Sequence, residues 1–433
     1  HMTSINSLRK LNRAIKPDVK TTTCDYEFIC RVKDLTPMPE KETLVPYKIC
    51  SFDIEASSSH GDFPLPIKTY KRLATNLVDA FIRQISFIDA EKSKILLQKI
   101  ILTAFGYDKF EDVDLVYPKM KPSKDKVLKL VRILIEKSVE NAKASNEEED
   151  NSKLLQIDAI FSKIAEENAV DNAGGGGDGD DDEDGRVDGD IEVTWSSNKK
   201  QKSAKIEKKA TILDVLLSSS YNRDEKIQIS NDVLTLLFPQ LEGDKVTFIG
   251  STFLKYGEKE TYLNHCVVLG TCDPVENATI ECVDTERELL LKWRDLIQQE
   301  NPDIIIGYNI FGFDYEFMFR RSQENDCAKE FLALSRKQGE ICAKFDRNDT
   351  SELLIENTKM KIASGEYDLR FFKMNGRLQI DMYTYFRRDF NLSSYKLQPT
   401  FDCLHKCIIS DDNPSEISII DVGFISKACN KVR

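Results

Sequence analysis

The stretch Lys48-Ile49-Cys50-Ser51-Phe52-Asp53-Ile54-Glu55 decides the fold that this 433-residue sequence predicts. It begins as an alternating apolar run, which predicts a β-strand, and it ends with two acidic residues, Asp53 and Glu55. Residues i and i+2 of a strand share one face, so both carboxylates point the same way. Two carboxylates on one face repel each other unless a cation lies between them. The strand end therefore predicts a divalent-metal site.

A second acidic segment lies far downstream. Asp303-Ile304-Ile305-Ile306-Gly307 is a short apolar run that predicts a buried strand, and Asp314 follows it at the start of a predicted helix. If Asp53, Glu55 and Asp314 converge, they can hold two Mg²⁺ or Mn²⁺ ions about 3.5–4 Å apart for phosphodiester hydrolysis.

The residues before this second segment predict a hairpin and a helix. Alternating runs at 245–254 and 261–270 predict two strands that turn at Gly257-Glu258-Lys259-Glu260. Thr285 and Glu288 have the spacing of a capping box, and Pro302 ends the helix that this box opens. The predicted order is thus strand, strand hairpin, helix, strand, helix.

The motifs and their order resemble those of the family B DNA polymerases. Asp53-Ile54-Glu55 matches the first exonuclease motif of the family, and Gly307-Tyr308-Asn309-Ile310-Phe311-Gly312-Phe313-Asp314 matches the second. Gly376-Arg377-Leu378-Gln379-Ile380-Asp381 and residues 388–397 resemble the stretch beyond. Residues 58–64 are most similar to polymerases of large DNA viruses of eukaryotes, which resemble the delta-like replicative enzymes. The resemblance covers about 45–60 and 245–405.

The resemblance implies an α/β fold, namely a ribonuclease-H-like 3′–5′ exonuclease domain with a mixed sheet flanked by helices. It implies that Asp53, Glu55 and Asp314 are the catalytic and metal-binding residues of a site for two divalent ions, Mg²⁺ or Mn²⁺. Glu55 would also orient the attacking water. Asn309 and Phe313 are candidate substrate-binding residues. Asn309 is either a structural or a substrate-side polar group, and Phe313 either packs in the core or touches the terminal base.

The family has a third motif, Tyr-x3-Asp, which supplies a fourth metal-binding carboxylate. Tyr385-Phe386-Arg387-Arg388-Asp389 has this spacing, but it follows Gly376-Arg377 too soon to be the motif. The motif is expected beyond Cys407, where the sequence has no tyrosine. Acidic polymerase palm motifs such as Asp-Thr-Asp are absent from the sequence too. We therefore expect this stretch to be weakly active or inactive by itself.

Composition divides the chain into segments. We expect 1–45 to be the end of the polymerase N-terminal domain, and 46–65 with 241–433 to form the exonuclease domain, incomplete at its C-terminus. Residues 66–168 and 210–240 have helical periodicity and predict a helical insertion. An acidic and then Lys-rich linker, 169–209, is expected to lack fixed structure, because glycine and like charges cannot offset the entropy of ordering.

Overall composition restricts the class of protein only in part. The net charge is −12, but nine acids and one arginine fall within 178–192, so global charge says little about partners. Eleven cysteines in a chain of this length suggest reduced thiols in an intracellular protein. No apolar run is long enough for a membrane span. We expect a piece of a larger polypeptide that acts in the host nucleus or at a cytoplasmic viral replication site.

Three functions are compatible with these observations. The first is a viral family B DNA polymerase, of which this chain carries the proofreading exonuclease and lacks the palm. Its partners would be a single-stranded 3′ end, primer-template DNA and a sliding-clamp-type processivity factor. The second is a non-catalytic nuclease-fold scaffold whose helical insertion binds a replication partner. The third is a stand-alone exonuclease.

Overall fold

The computed structural model describes residues 3–5, 20–27, 31–38, 45–58, 61–84, 89–136, 139, 210–346, 352–362, 365–390 and 395–396. The chain forms two compact units: the first has His1–Pro66 and Asp244–Arg433, and the second has Ile67–Gly243. The expected linker 169–209 and the part of the nuclease domain beyond 396 lie outside the described residues.

The described residues form the following strands and helices. The strands are β1 Thr3–Ile5, β2 Leu35–Pro37, β3 Lys48–Ser57, β4 Lys245–Lys255, β5 Leu263–Leu269, β6 Thr279–Val283, β7 Ile304–Gly307, β8 Lys344–Phe345, β9 Leu353–Leu354, β10 Glu356–Ile362, β11 Gly365–Phe371 and β12 Leu378–Asp381. The helices are α1 Lys71–Gln84, α2 Ala90–Ala104, α3 Lys124–Glu136, α4 Ile212–Leu217, α5 Arg223–Leu237, α6 Glu286–Glu300, α7 Asp314–Glu324, α8 Ala328–Phe331 and α9 Met382–Asp389. No described helix has the length and apolar character to cross a membrane.

A six-stranded mixed sheet forms the centre of the first unit, in the order β12-β7-β3-β4-β5-β6. Strands β3, β7 and β12 run parallel, whereas β4 is antiparallel to β3 and to β5. The β4–β5 hairpin is the one that the sequence predicted. Helix α6 packs on β4 and β5, and α7 also contacts β4. The expected α/β class, a mixed sheet with flanking helices, is confirmed.

The inner face of β3 builds the core beneath the acidic strand end. Phe52 is 1% exposed, and its ring centroid lies 4.9 Å from that of Trp293 in α6 and 5.6 Å from that of Tyr315 in α7. The Trp293 indole N–H donates to Ser251 Oγ on β4 at 3.1 Å, so the buried polar group is satisfied. One residue of β3 thus joins both helices to the sheet and leaves its neighbour Asp53 on the opposite side.

Local sequence signals begin and end α6 as predicted. The Thr285 side chain accepts from the Glu288 N–H, and the Glu288 side chain accepts from the Thr285 N–H, which completes the capping box. Asn301 ends the helix in the left-handed conformation with φ of 51°, and Pro302 follows. The chain then enters β7 directly, beside β3.

A buried ion pair fastens the two helices. The carboxylate of Glu286, at the start of α6, accepts two bonds from Arg321 of α7, Nε to Oε1 at 2.9 Å and Nη2 to Oε2 at 2.6 Å. Both side chains are 2% exposed. Glu286 also accepts from the Val246 N–H of β4 at 2.8 Å, and Arg321 donates to the Pro66 carbonyl at 3.1 Å. Such a pair is costly to break, because the remaining charge stays buried.

The second unit has its own apolar core. Helices α1–α5 occupy its described part, and α4 and α5 each begin with a capping box, Thr211 with Asp214 and Asn222 with Glu225. Aromatic rings of Tyr70, Phe105 and Phe238 lie 5.6–6.4 Å apart in its interior. In chain order this unit lies between β3 and β4, which pair with each other in the first unit.

We predict that Arg321→Met lowers the free energy of unfolding of the first unit by about 3–5 kcal/mol, because it leaves the carboxylates of Glu286 and Glu324 buried without a cation. The measurement is urea unfolding followed by Trp293 fluorescence in a Trp195→Phe background. The matched control is Arg388→Met, which breaks the exposed pair between Arg388 and Asp389 and should cost about 0–1 kcal/mol. Equal losses of unfolding free energy in both variants would contradict the stabilising role of the buried Glu286 and Arg321 pair.

Candidate active site

Strand β3 carries Asp53 and Glu55 to one end of the sheet. Phe52 and Ile54 are buried, Asp53 is partly buried and Glu55 is exposed, which is the alternation expected of this strand. The register with β4 shifts between Glu55 and Ala56, so that Thr247 has no strand partner and its hydroxyl donates to the Glu55 carbonyl at 3.2 Å. This is a β-bulge, which re-aims the side chains around it. The alternating sequence did not predict it.

Asp314 meets Asp53 at this strand end. It is the first residue of α7 and is 3% exposed. A hydrogen bond joins the two side chains, and the Ile54 N–H donates to Asp53 Oδ1 at 3.1 Å. Asp53 and Asp314 were predicted to converge from segments about 260 residues apart, and the structure brings them together. Glu55 follows on the same strand.

The protonation of this pair reflects its burial. Burial and, to a smaller extent, the charge of Glu55 raise the pKa of Asp53, and bonds from the Ile54 N–H and Asp314 lower it; the net result is a pKa of about 7. Burial also raises the pKa of Asp314 well above its ordinary value, and the charges of Asp53 and Asp381 add to this effect. Burial and mutual repulsion therefore favour the protonated form of this pair. A cation is the natural replacement for that proton.

The loop before Asp314 needs two glycines because its atoms are close together. A Cβ on Gly307 would collide with Ile310 Cγ2 and lie 2.9 Å from the Phe52 carbonyl oxygen. A Cβ on Gly312 would collide with Asn309 Oδ1, whose side chain lies over that position. Asn309 itself is left-handed, with φ of 62°, and its carbonyl accepts from the N–H groups of Gly312 at 3.0 Å and Phe313 at 2.9 Å. The glycine spacing of the motif thus follows from packing.

The two predicted substrate-binding residues lie in this same loop. The ring of Phe313 is 5.4 Å from that of Phe63 and 5.1 Å from that of Phe317, which favours the packing role. The backbone of Asn309 is bound through its N–H to Asp381. Contact of either side chain with a DNA end stays a prediction.

Asp381 is the residue whose importance the sequence did not show. It ends β12 opposite Gly307 of β7, is 2% exposed, and accepts backbone bonds from the loop that carries Asp314. The available signal was an Asp at the end of a strand and directly before a helix, a position typical of an N-cap.

Tyr385 and Asp389 occupy helix α9, and neither is buried. Tyr385 is 38% exposed, and Asp389 lies at the helix end in an ion pair with Arg388 at 2.8 Å. The hydrogen bond from Arg388 holds the pKa of Asp389 below its ordinary value. This environment agrees with the exclusion of Asp389 as the fourth carboxylate.

The donor atoms suit a hard divalent ion. Carboxylate oxygens are preferred by Mg²⁺ and Mn²⁺, and Asp53 and Asp314 present them next to each other. In the described part of the chain no set of three or more His, Cys, Asp or Glu side chains is arranged as a metal cluster. Participation of Glu55 as a third ligand therefore stays a prediction, although its charge acts on Asp53.

Comparison with known proteins identifies the same region. The family model for the exonuclease domain of DNA polymerase family B matches residues 3–73 and 186–399. A DNA polymerase of Phaeocystis pouchetii virus is 38% identical over 410 residues, which cover 90% of this chain and 36% of that protein. A DNA polymerase of Pyramimonas orientalis virus is 27% identical over 86% of this chain and 26% of its own length.

Cellular relatives match less of the chain. The DNA polymerase delta catalytic subunit of Oryza sativa subsp. japonica is 31% identical over 185 residues, 40% of this chain and 16% of that protein. The chain thus spans about a third or less of the length of these relatives. The span matched by the Phaeocystis virus enzyme includes residues of the second unit, since it covers 90% of the chain.

We predict that Asp53 makes the metal-free protein less stable as pH rises. A raised pKa means that the folded state binds more protons than the unfolded state between about pH 4 and 7, so the free energy of unfolding falls across that window. The measurement is the difference in unfolding free energy between wild type and Asp53→Asn in EDTA from pH 4.5 to 8. As pH rises, wild type should lose stability relative to the variant. Replacing EDTA with Mn²⁺ should reverse this loss. A pH-independent difference would contradict the shift.

Proposed function

Since this chain belongs to the family B DNA polymerases through its exonuclease domain, we propose that Asp53, Glu55 and Asp314 remove nucleotides from the 3′ end of DNA with divalent ions. Exonuclease domains of this family are metal-dependent nucleases, and DNA is their partner. The observation that carries the finer proposal is the hydrogen-bonded pair of Asp53 and Asp314 in a buried setting next to Glu55.

The role of each residue follows from its environment. Asp53 and Asp314 would hold the ions, because they are neighbouring buried carboxylates whose mutual repulsion a cation relieves. When bound, two Mg²⁺ or Mn²⁺ ions supply an activated water and stabilise the leaving 3′ oxygen. Glu55 is exposed, and it is suited to orient the attacking water and to accept its proton.

The substrate would be a frayed single-stranded 3′ end. A mismatched terminus separates from its template at a lower free-energy cost than a paired one, so it enters a single-strand site more often. Asn309 and Phe313 lie in the loop that ends at Asp314, within reach of the terminal nucleotide if it binds at the carboxylates. This selectivity would make the site a proofreading site.

The relatives that carry this domain are named DNA polymerases, and we extend the proposal accordingly. The whole polypeptide would replicate viral DNA inside the cell, and the site on this chain would edit the product. The second unit, Ile67–Gly243, is proposed as an insertion for a replication partner such as a sliding-clamp-type processivity factor.

We predict that Asp53→Asn and Asp314→Asn each lower the rate of 3′ nucleotide release at least about 10²–10³-fold, the loss typical for removal of one stabilising group in an active site. The assay uses a 5′-labelled single-stranded oligonucleotide with Mg²⁺ or Mn²⁺. Asp389→Asn, an exposed and ion-paired carboxylate, is the control and should keep wild-type activity. If all proteins release nucleotides at the same low rate with and without metal, the result would favour the scaffold function instead.

We further predict that residues 1–433 alone are a slow nuclease, because the family uses a fourth carboxylate from a Tyr-x3-Asp segment that this sequence does not offer beyond Cys407. Fusing a segment that carries the Tyr-x3-Asp motif should raise the rate by about 10²-fold or more. The control fusion carries Ala in place of the motif Asp. Equal activity with and without the motif, abolished by Asp53→Ala, would show that an internal residue such as Asp389 completes the site.

A further inference from the structure

We propose that Asp381 is a positioning residue that sets the affinity of the Asp53 and Asp314 site for divalent ions. It would do so by holding the loop that carries Asp314. This inference rests on the proposed metal-dependent function and concerns a residue that is not itself a ligand.

The side chain of Asp381 accepts hydrogen bonds from two segments, the loop before Asp314 and the first turn of α9. Its Oδ1 accepts from the Asn309 N–H at 2.9 Å, and its Oδ2 accepts from the Phe311 N–H at 2.9 Å. On its own segment Oδ1 accepts from Tyr383 N–H at 2.9 Å and Thr384 N–H at 3.4 Å, which caps helix α9. With 2% exposure and both oxygens engaged by backbone donors, Asp381 joins the two segments from a buried position.

The two hydrogen bonds from the loop to Asp381 restrain the loop at Asn309, the residue with the least favourable backbone conformation. Asn309 adopts φ of 62°, a left-handed conformation that costs free energy for a residue with a side chain. The bond from its N–H and the bond from the Phe311 N–H hold both sides of this turn. On the outer side, the Phe311 carbonyl accepts from the Arg370 N–H of β11 at 2.8 Å. The turn therefore has fixed points three and five residues before Asp314.

The position of Asp314 follows from these restraints. Asp381 is in register with Gly307, where the loop leaves β7, and Gly307 lies against the Phe52 carbonyl of β3. From Gly307 the chain makes one turn and reaches Asp314, which bonds Asp53 on that same strand. If the turn relaxes, Asp314 moves relative to Asp53. Partners that orient metal ligands typically contribute about 10–100-fold in metal affinity or activity.

Asp381→Ser separates the two roles of this side chain. Serine is a good N-cap, so its single oxygen can still accept from the first turn of α9, but it is too short to hold the loop. Asp381→Asn is the second variant, since it keeps the size of the side chain and exchanges one acceptor for a donor that faces a backbone N–H. The matched control is Asp303→Ser at the opposite end of β7, where Asp303 accepts from the Lys48 N–H at 2.8 Å and pairs with Arg336.

The experiment measures Mn²⁺ binding to the 433-residue chain by calorimetry, together with Mn²⁺-dependent nuclease activity and thermal stability. We expect Asp381→Ser and Asp381→Asn to weaken Mn²⁺ binding about 10–100-fold, with activity partly rescued by high Mn²⁺. Asp303→Ser should lower the melting temperature comparably and leave Mn²⁺ affinity unchanged.

The outcomes distinguish the two proposals. If wild type binds Mn²⁺, Asp53→Asn abolishes binding and both Asp381 variants bind like wild type, the role of Asp381 is overturned while the proposed function stands. If Asp303→Ser weakens binding as much as the Asp381 variants, the effect is general destabilisation and the role is again overturned. If wild type binds no Mn²⁺, the proposed function fails, and the role of Asp381 fails with it.

Discussion

The repulsion between two buried carboxylates is the constraint on which the rest of this structure depends. Two charges about 4 Å apart cost about 4 kcal/mol in a protein-like dielectric, so Asp53 and Asp314 cannot both ionise without a compensating cation or a shared proton. Burial and mutual repulsion raise the pKa of both groups, which favours the protonated pair in the absence of a cation. The surrounding chain must hold the pair together against this repulsion until the cation arrives.

The packed core under the sheet holds Asp53 and Asp314 together. Phe52 packs between Trp293 and Tyr315, so the strand that carries Asp53 and the helix that begins with Asp314 share one core. The Glu286 and Arg321 pair links the same helix to α6 and β4. Since catalytic geometry tolerates only small displacements, it is consistent that the site is built at the ends of a strand and a helix rather than on long loops.

The second unit illustrates how a nuclease sheet accepts a large addition. Ser57 at the end of β3 pairs with Lys245 at the start of β4, so the chain leaves and re-enters the sheet at adjacent points. Closing a long segment between adjacent ends costs little more than closing a short one. Such a position tolerates a long segment that folds around its own core. The family model has no match between residues 73 and 186, whereas residues 186–243 of this unit lie within its match.

The sequence by itself determined strands β3, β4, β5 and β7 and the capping box of α6, because these depend on local periodicity and on residue types with few alternatives. It did not predict β6, β11 or β12. It predicted that Asp53 and Asp314 converge, since the motifs come in a fixed order. Only the tertiary structure decided that Phe313 packs against Phe63, that a bulge follows Glu55, and that Asp381 holds the loop before Asp314. These features arise where segments far apart in sequence meet in register, and neither periodicity nor composition carries that information.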